Sequence, residues 1–406
     1  MTSTGYERVV ITGLGAVSGC GIGCGPLWEH LAGGRTAIRP TRLAFGSQEF
    51  NIAAAMVPGY IPAAYFSTSS LALADPFAQY AAIAAREAMH DSGLNTPLPE
   101  PHRCGVVLGS GEGGGQTREE ASIRMFHLGK RLHPMTVPRI NHQASVALVS
   151  AEYGITGPGF AIATGCVSAA QAIAQAWMMI RMGMIDMAIT GGSDASICFG
   201  LVSGFDALHI VSKEPCRPFS IERGGMSLGE GAGIVIVETL SSARKRGAHI
   251  YAELAGAGMT SDAINSLHPT IEGPAQAMEA ALHGAGMAAT DIGYINAHGT
   301  GTLANDAAEA SAINKVFNGA PPPVSSTKSI HGHTLGAAGG LELVATLLAM
   351  RHQVLPPTVN FTGPDPGCAL DCIPNHPREH CFTAALSNSF AFGGLNVVLA
   401  IKKWDL

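Results

Sequence analysis

The feature that most narrows the fold is an alternation. Short β-branched runs ending in glycine are each followed by a helix-length segment, and the series occurs twice. In the first series, "RVVITGLGAVS" (8–18) reads as a buried strand and turn. "DPFAQYAAIAAREAMHDSGL" (75–94) reads as a helix, with Asp75 to cap it, Pro76 in its first turn and Gly93 past its end. "RCGVVLGSGEGGG" (103–115) is a strand entering a glycine loop. "GFAIATGC" (159–166) is a strand, and "VSAAQAIAQAWMMIRMG" (167–183) is a helix apolar almost all round, which predicts a buried one. "MIDMAITGGSDA" and "GAGIVIVETLSSARKRG" add two strands.

The second series starts near residue 250 with the strand "HIYAELAGAGMTSD" and the helix "GPAQAMEAALHGAGM". "DIGYINAHGTGT" is a strand and loop, and "NDAAEASAINKVF" a helix with Asn305 or Asp306 at its start. "GAAGGLELVATLLAMRHQ" is a helix, and "CFTAALSNSFAFGGLNVVLAIKK" a strand, a loop and a last strand. Alternation of this kind predicts α/β layers around much buried sheet. The charged connection "SSARKRGAH" (241–249) is the expected boundary, giving halves 1–249 and 250–406. Hydrophobic residues make up 47% and charged ones 13%, enough apolar surface for a large core.

A net charge of −6 gives no support to nucleic-acid binding. The nine cysteines contain no C-x-x-C pair, which argues against a zinc ribbon or a disulfide framework. "MTSTGYERVVITGLG" lacks the pattern of a signal peptide, and no uninterrupted apolar run reaches about 18 residues. The expectation is a cytoplasmic protein without a membrane span. "GLGAVS" approximates a dinucleotide fingerprint, but its third glycine is missing and no acidic partner follows a second strand, so a tight turn is the better reading.

Chemistry concentrates in three places. Cys166 in "AIATGCVSAA" stands where a strand stops and a helix starts, near free backbone N–H groups that favour thiolate. Gly165, Ser168, Ala169 and Ala170 leave room around it. His298 in "NAHGTGTLANDAAEA" and His333 in "SSTKSIHGHTLGAAGG" each sit on a glycine-rich turn after an expected strand. Two histidines and a cysteine, with His331 making an H-x-H pair, could bind a metal. Soft-metal sites close with more ligands at short spacing, so a Cys-His-His catalytic set is favoured and no metal is expected.

These motifs, with "CRPFSIERGGMSLGEGAGIVIVE" and "LSNSFAFGGLN", run nearly end to end. The chain resembles the elongating β-ketoacyl-acyl-carrier-protein synthases, of the thiolase fold. That resemblance implies two similar α/β halves in a layered α-β-α-β-α arrangement, and a dimer. It implies an acyltransferase in which Cys166 takes an acyl chain from a thioester and malonyl carrier protein loses CO₂ to attack it. His298 and His333 would supply N–H donors to the malonyl thioester oxygen. The backbone N–H groups of Cys166 and Phe392 would form the oxyanion hole for acyl transfer, with Phe392 as a gate on Gly393 and Gly394. Lys328 would hold His298 and its loop, through Glu309. Asp306 would be only a helix cap. Thr300 and Thr302 would bond the pantetheine arm, with Phe390 also beside the substrate. No separate cofactor is implied, because phosphopantetheine arrives on the acyl carrier protein.

Two departures stand out. Glu112 in "GSGEGGG" occupies a place where fatty-acid elongating members carry an aliphatic residue near the far end of the acyl pocket. A buried unpaired carboxylate is costly. The expectation is therefore a wet pocket end, or an unsaturated or oxygenated chain such as those of polyene-making type II polyketide systems. Basic residues are also missing just before residue 75, which leaves Arg124, Lys130 and Arg131, or Arg244, Lys245 and Arg246, as docking cations for a carrier protein. Among rivals, a thiolase needs a second cysteine in "SNSFAFGGLN", and an initiating synthase needs asparagine at His333. A chain-length partner lacks the cysteine that this chain keeps. The expectation is the active subunit of a homodimer, or of a heterodimer with a chain-length factor.

Overall fold

The computed structural model describes residues 6–264 and 267–404; the first five residues of the N-terminal stretch read above lie outside them. Ten strands build the main sheet path: β1 (Val9–Ser18), β2 (Cys104–Gly109), β3 (Gly159–Ile162), β4 (Met187–Asp194), β5 (Gly231–Thr239), β6 (Ala252–Ser261), β7 (Tyr294–Asn296), β8 (Val324–Ser325), β9 (Ala384–Ala391) and β10 (Leu395–Lys403). The longest helices packed on them are α1 (Pro76–Asp91), α2 (Ser168–Arg181), α3 (Glu272–Ala285), α4 (Leu303–Val316) and α5 (Ala338–His352).

The path runs β8-β7-β9-β10-β6-β1-β5-β4-β2-β3. Outward from β1, the pairings are antiparallel to β5, antiparallel to β4, parallel to β2 and parallel to β3. Outward from β6 the same sequence repeats, antiparallel to β10 and β9, then parallel to β7 and β8. The two halves therefore share one strand order and one pattern of directions. Their sheet strands join at a narrow seam where Val10 faces Glu253 and Ile11 faces Ala252.

Side-chain alternation turns this path into five layers. On β5, Ile234 and Ile236 bury against α1, while Val235 and Val237 join the cluster around α2 and α5. On β10, Val397, Leu399 and Ile401 enter that same central cluster, and Val398 and Ala400 bury with α3 and α4. The order is α1, sheet, α2 with α5, sheet, α3 with α4. Because α5 lies between two sheets, every residue from Ala338 to Met350 is buried, which explains its lack of a polar face.

Local signals act where the sequence places them. The Asp75 carboxylate accepts from Phe77 N at 3.2 Å, and Pro76 opens α1. Two close approaches require glycine. A Cβ on Gly15 would stand 1.9 Å from Ala84 O of α1, and one on Gly233 would stand 2.1 Å from Leu341 N of α5. Gly15→Ala is expected to destabilise the fold by about 3 kcal/mol through overpacking, seen as a lower midpoint in denaturant with an unchanged slope.

Some elements differ from expectation. The 241–249 connection is partly helical, since Thr239 caps a helix over Leu240–Lys245. Helix α4 starts two residues before Asn305, with Thr302 at its N-cap position. Residues 20–74, where the sequence shows no strong periodicity, include an antiparallel arm, Arg39–Phe45 with Gln48–Ala55, whose tip is exposed. Among the described residues, no helix is long and apolar enough to cross a membrane.

Candidate active site

Cys166 lies in a single 3-10 turn, Gly165–Val167, between β3 and the start of α2. Gly165 has φ +63°, the left-handed backbone that lets the chain reverse here. His298 follows β7, and His333 follows a short helix over Lys328–His331. The fold brings the three together: Cys166 Sγ lies 3.1 Å from His333 Nε2, and the two imidazoles meet edge to face with centroids 5.3 Å apart. One ligand atom from each lies within 4.8 Å of the others.

The neighbours set the tautomers. His333 Nδ1 accepts from Leu335 N at 3.3 Å, and His298 Nδ1 accepts from Lys328 Nζ at 3.1 Å. Both Nε2 atoms therefore carry the proton when the rings are neutral. Neutral they are: burial and then the Lys328 charge hold both pKa values well below the usual 6.5. His331 is different, bonded at both ring nitrogens, to Gly332 O at 2.8 Å and Thr327 Oγ1 at 3.0 Å. It braces the loop, and the H-x-H pair does not act as a unit.

The thiol departs from the sequence reading. Burial pushes Cys166 up to about 12, with Lys328 opposing and Asp194 and Glu342 reinforcing. Desolvation outweighs the help expected from the helix start, so the resting group is a thiol. Alkylation of Cys166 by iodoacetamide is expected to accelerate about tenfold per pH unit from pH 7 to 10. Lys328→Met should slow it further by raising the pKa again. A rate that levels off near pH 7 would contradict this account.

The carboxylates also correct the reading. Lys328 pairs with Glu342, and both are fully buried. Glu309 instead accepts from the backbone N–H groups of His298 at 2.8 Å and Gly299 at 2.7 Å, so it fixes the turn that carries the imidazole. Burial pushes both acids up to about 7. Asp306 does not cap its helix. It accepts from Phe219 N at 2.8 Å and Gly301 N at 3.1 Å, with Arg223 at 3.7 Å. Arg223 also pairs with Asp365 and donates to Thr302 O and Leu303 O at 3.3 Å.

Asp194, at the end of β4, was not singled out in the sequence. It accepts from Ser110 Oγ and Gly111 N at 2.8 Å and from Gly336 N at 2.6 Å. It thus ties the glycine loop after β2 to the loop carrying His333. A lone acid after "ITGGS", at the end of an apolar strand, was the signal available for it.

A cavity of about 290 Å³ opens onto Cys166, His298 and His333, and is lined further by Thr300, Thr302, Phe390 and Phe392. The Thr300 and Thr302 hydroxyls lie 2.9 Å apart. Phe390 packs 5.9 Å from the His298 ring, and Phe392 is 47% exposed at the mouth. Gly393 and Gly394, at φ +90° and +74°, form the turn after it. Glu112 does not line this cavity. It borders a second one, with its carboxylate 3.9 Å from Arg118 and its side chain 32% exposed. The burial penalty anticipated for it is therefore absent.

Comparison with known proteins agrees with this geometry. Residues 6–243 match the N-terminal domain of β-ketoacyl synthases, and residues 251–362 match the C-terminal domain. Nodulation protein E of Rhizobium sp. (strain N33) is 42% identical, covering 98% of this chain and 99% of the relative. The 3-oxoacyl-[acyl-carrier-protein] synthase 2 of Staphylococcus aureus (strain COL) is 38% identical over the same shares. Among solved structures, the ishigamide ketosynthase/chain length factor superposes with a TM-score of 0.94 at 33% identity, covering 98% of this chain and 100% of that one. A type II ketosynthase bound to a hexaketide, in complex with its acyl-carrier protein, gives 0.89 at 31% and the same coverage. Matched in both halves, and similar nearly from end to end to enzymes of this kind, the chain belongs to the β-ketoacyl synthases, acyltransferases of fatty acid or polyketide pathways.

Proposed function

We propose that the chain performs a decarboxylative Claisen condensation with Cys166 as the acyl carrier. The thiol adds to an acyl thioester, and the pantetheine thiol leaves with a proton. Malonyl carrier protein then enters and loses CO₂, and its enolate carbon attacks the Cys166 thioester, releasing the sulfur. The convergence of two neutral Nε2–H donors on the space beside Cys166 Sγ carries this reading. Charge develops on the malonyl thioester oxygen, and fixed donors in a dry cavity stabilise it most. The backbone N–H groups of Cys166 and Phe392 serve the acyl-transfer step. Thr300 and Thr302 receive the pantetheine amides, while Lys328, Glu342 and Glu309 hold His298 in place.

No resident metal or cofactor is needed. A ring nitrogen that carries a proton has no lone pair for an ion, and Nδ1 of each histidine is already engaged. The nine cysteines are all unpaired, which fits a reducing cytoplasm.

The partner is an acyl carrier protein, and the enzyme acts as a dimer, with itself or with a chain-length factor. Related complexes with an acyl-carrier protein and with a chain length factor support this. For carrier docking, Arg246 is already committed to Glu238 and Ser92 O, whereas Lys130 and Arg131 are exposed. Incubation with acyl carrier thioesters should add one acyl mass at Cys166, located by peptide mass spectrometry. Activity should survive exhaustive chelation. A protein that stays unacylated under these conditions is a scaffold and not a synthase.

A further inference from the structure

The second cavity lies apart from the catalytic one. It holds about 490 Å³ and is walled by Phe45, Ile123, Phe199 and Leu201. Polar groups interrupt this apolar wall. The hydroxyl of Ser196, a residue only 2% exposed, has no hydrogen-bond partner, and Ser196 lines the cavity. A Cβ on Gly115, which also lines the cavity, would lie 3.4 Å from that oxygen, so the glycine keeps the wall thin beside the hydroxyl. Glu112 borders the same space, held only loosely by Arg118 at 3.9 Å. Glu119, by contrast, is satisfied, accepting from Phe199 N at 3.1 Å and Gly200 N at 2.6 Å.

The position matters as much as the chemistry. The loop after β2 separates this cavity from the nucleophile. A Cβ on Gly111 would stand 3.6 Å from Gly165 O, and the next residue, Glu112, already borders the cavity. The first cavity is occupied in the reaction by the incoming pantetheine arm, so a long chain on Cys166 must run elsewhere. Resting on the proposed role of Cys166, we infer that the second cavity selects acyl chains bearing a hydroxyl group on their distal part. A hydroxyl can donate to the Glu112 carboxylate and accept from the Ser196 hydroxyl. The Ser196 hydroxyl already lacks a partner in the free protein, so a hydroxylated chain gains a hydrogen bond there that an unsubstituted or purely unsaturated chain cannot make. Sites built to hydrogen-bond a substrate hydroxyl reject its hydrogen analogue for this reason.

The test uses the full-length enzyme and three acyl carrier thioesters of equal chain length: saturated, polyenoyl, and saturated with a distal hydroxyl. Condensation with malonyl carrier protein gives kcat/KM for each, and mass spectrometry reads acyl-Cys166. The expected result is a preference of about tenfold or more for the hydroxylated chain over both others. In Ser196→Ala combined with Glu112→Leu, that ratio should fall to near one. Equal rates for the three chains in the unaltered enzyme, or preference for the polyenoyl chain, would overturn the inference while leaving Cys166 acylated. Absence of acylation by all three would overturn the role of Cys166 and this inference together. The ratio in the unaltered enzyme stands even if the double variant does not fold.

Discussion

Cys166→Ala is expected to abolish condensation, lowering the rate by about 10⁴ or more. In the proposed mechanism the sulfur forms the covalent intermediate, and no neighbouring group can replace it: His333 and His298 lie beside the same space, but their outward nitrogens carry protons and cannot attack. Alanine removes only the Sγ atom from a turn that Gly165 and the start of α2 hold in place, so the fold should persist. The measurement is product formation from acyl and malonyl carrier thioesters, alongside a thermal melt to show that the variant is folded. A folded variant turning over at the original rate would remove the foundation of the proposed mechanism.

The second large effect concerns the histidines. His298→Ala and His333→Ala should each reduce decarboxylation by about 10²–10³, the usual cost of losing one oxyanion donor. Their effects on acylation should separate. His333 hydrogen-bonds the sulfur, so its loss also slows acyl transfer, whereas His298 stands within 4.8 Å of Sγ and is held by Lys328 instead. A single-turnover assay of acyl-Cys166 formation, compared with CO₂ release from malonyl carrier protein, resolves the two steps. The sign of the pH dependence follows from the depressed imidazole pKa values. Both rings stay neutral from alkaline pH to well below 6.5, so decarboxylation should not fall as pH drops through 6.5. A loss with an apparent pKa near 6.5 would show a solvated, ordinary histidine.

Much of this was legible in the sequence. Strands ending in glycine identified β1, β2 and β4, and an apolar all-round segment identified α2, because buried elements have no polar face to encode. Cys166, His298 and His333 stood out because reactive groups on glycine turns are conspicuous against a core of Ala, Ile and Val. The supporting acids were harder to see. Glu342 is one carboxylate inside "GGLELVATLLAM", and only the knowledge that this helix is enclosed makes its charge demand a partner. Which lysine answers it is a long-range matter that spacing does not encode. Arg223 was hidden for the same reason, since its five contacts reach α4 and the Asp365 loop as well as its own turn. The thiol's acidity was misjudged because burial is a property of the assembled chamber, while the helix start that argues the other way is local.

The repeated strand order has a bearing on chimeras. The sulfur belongs to the first repeat and both imidazoles to the second, and the contact between them joins positions 167 residues apart. Crossing over between two paralogous genes within 241–249 would thus exchange nucleophile and proton-donor blocks intact. Such hybrids would stand or fall on the central layer, where α5 of the second repeat packs on α2 and β5 of the first, more than on the two-residue strand junction between Val10–Ile11 and Ala252–Glu253.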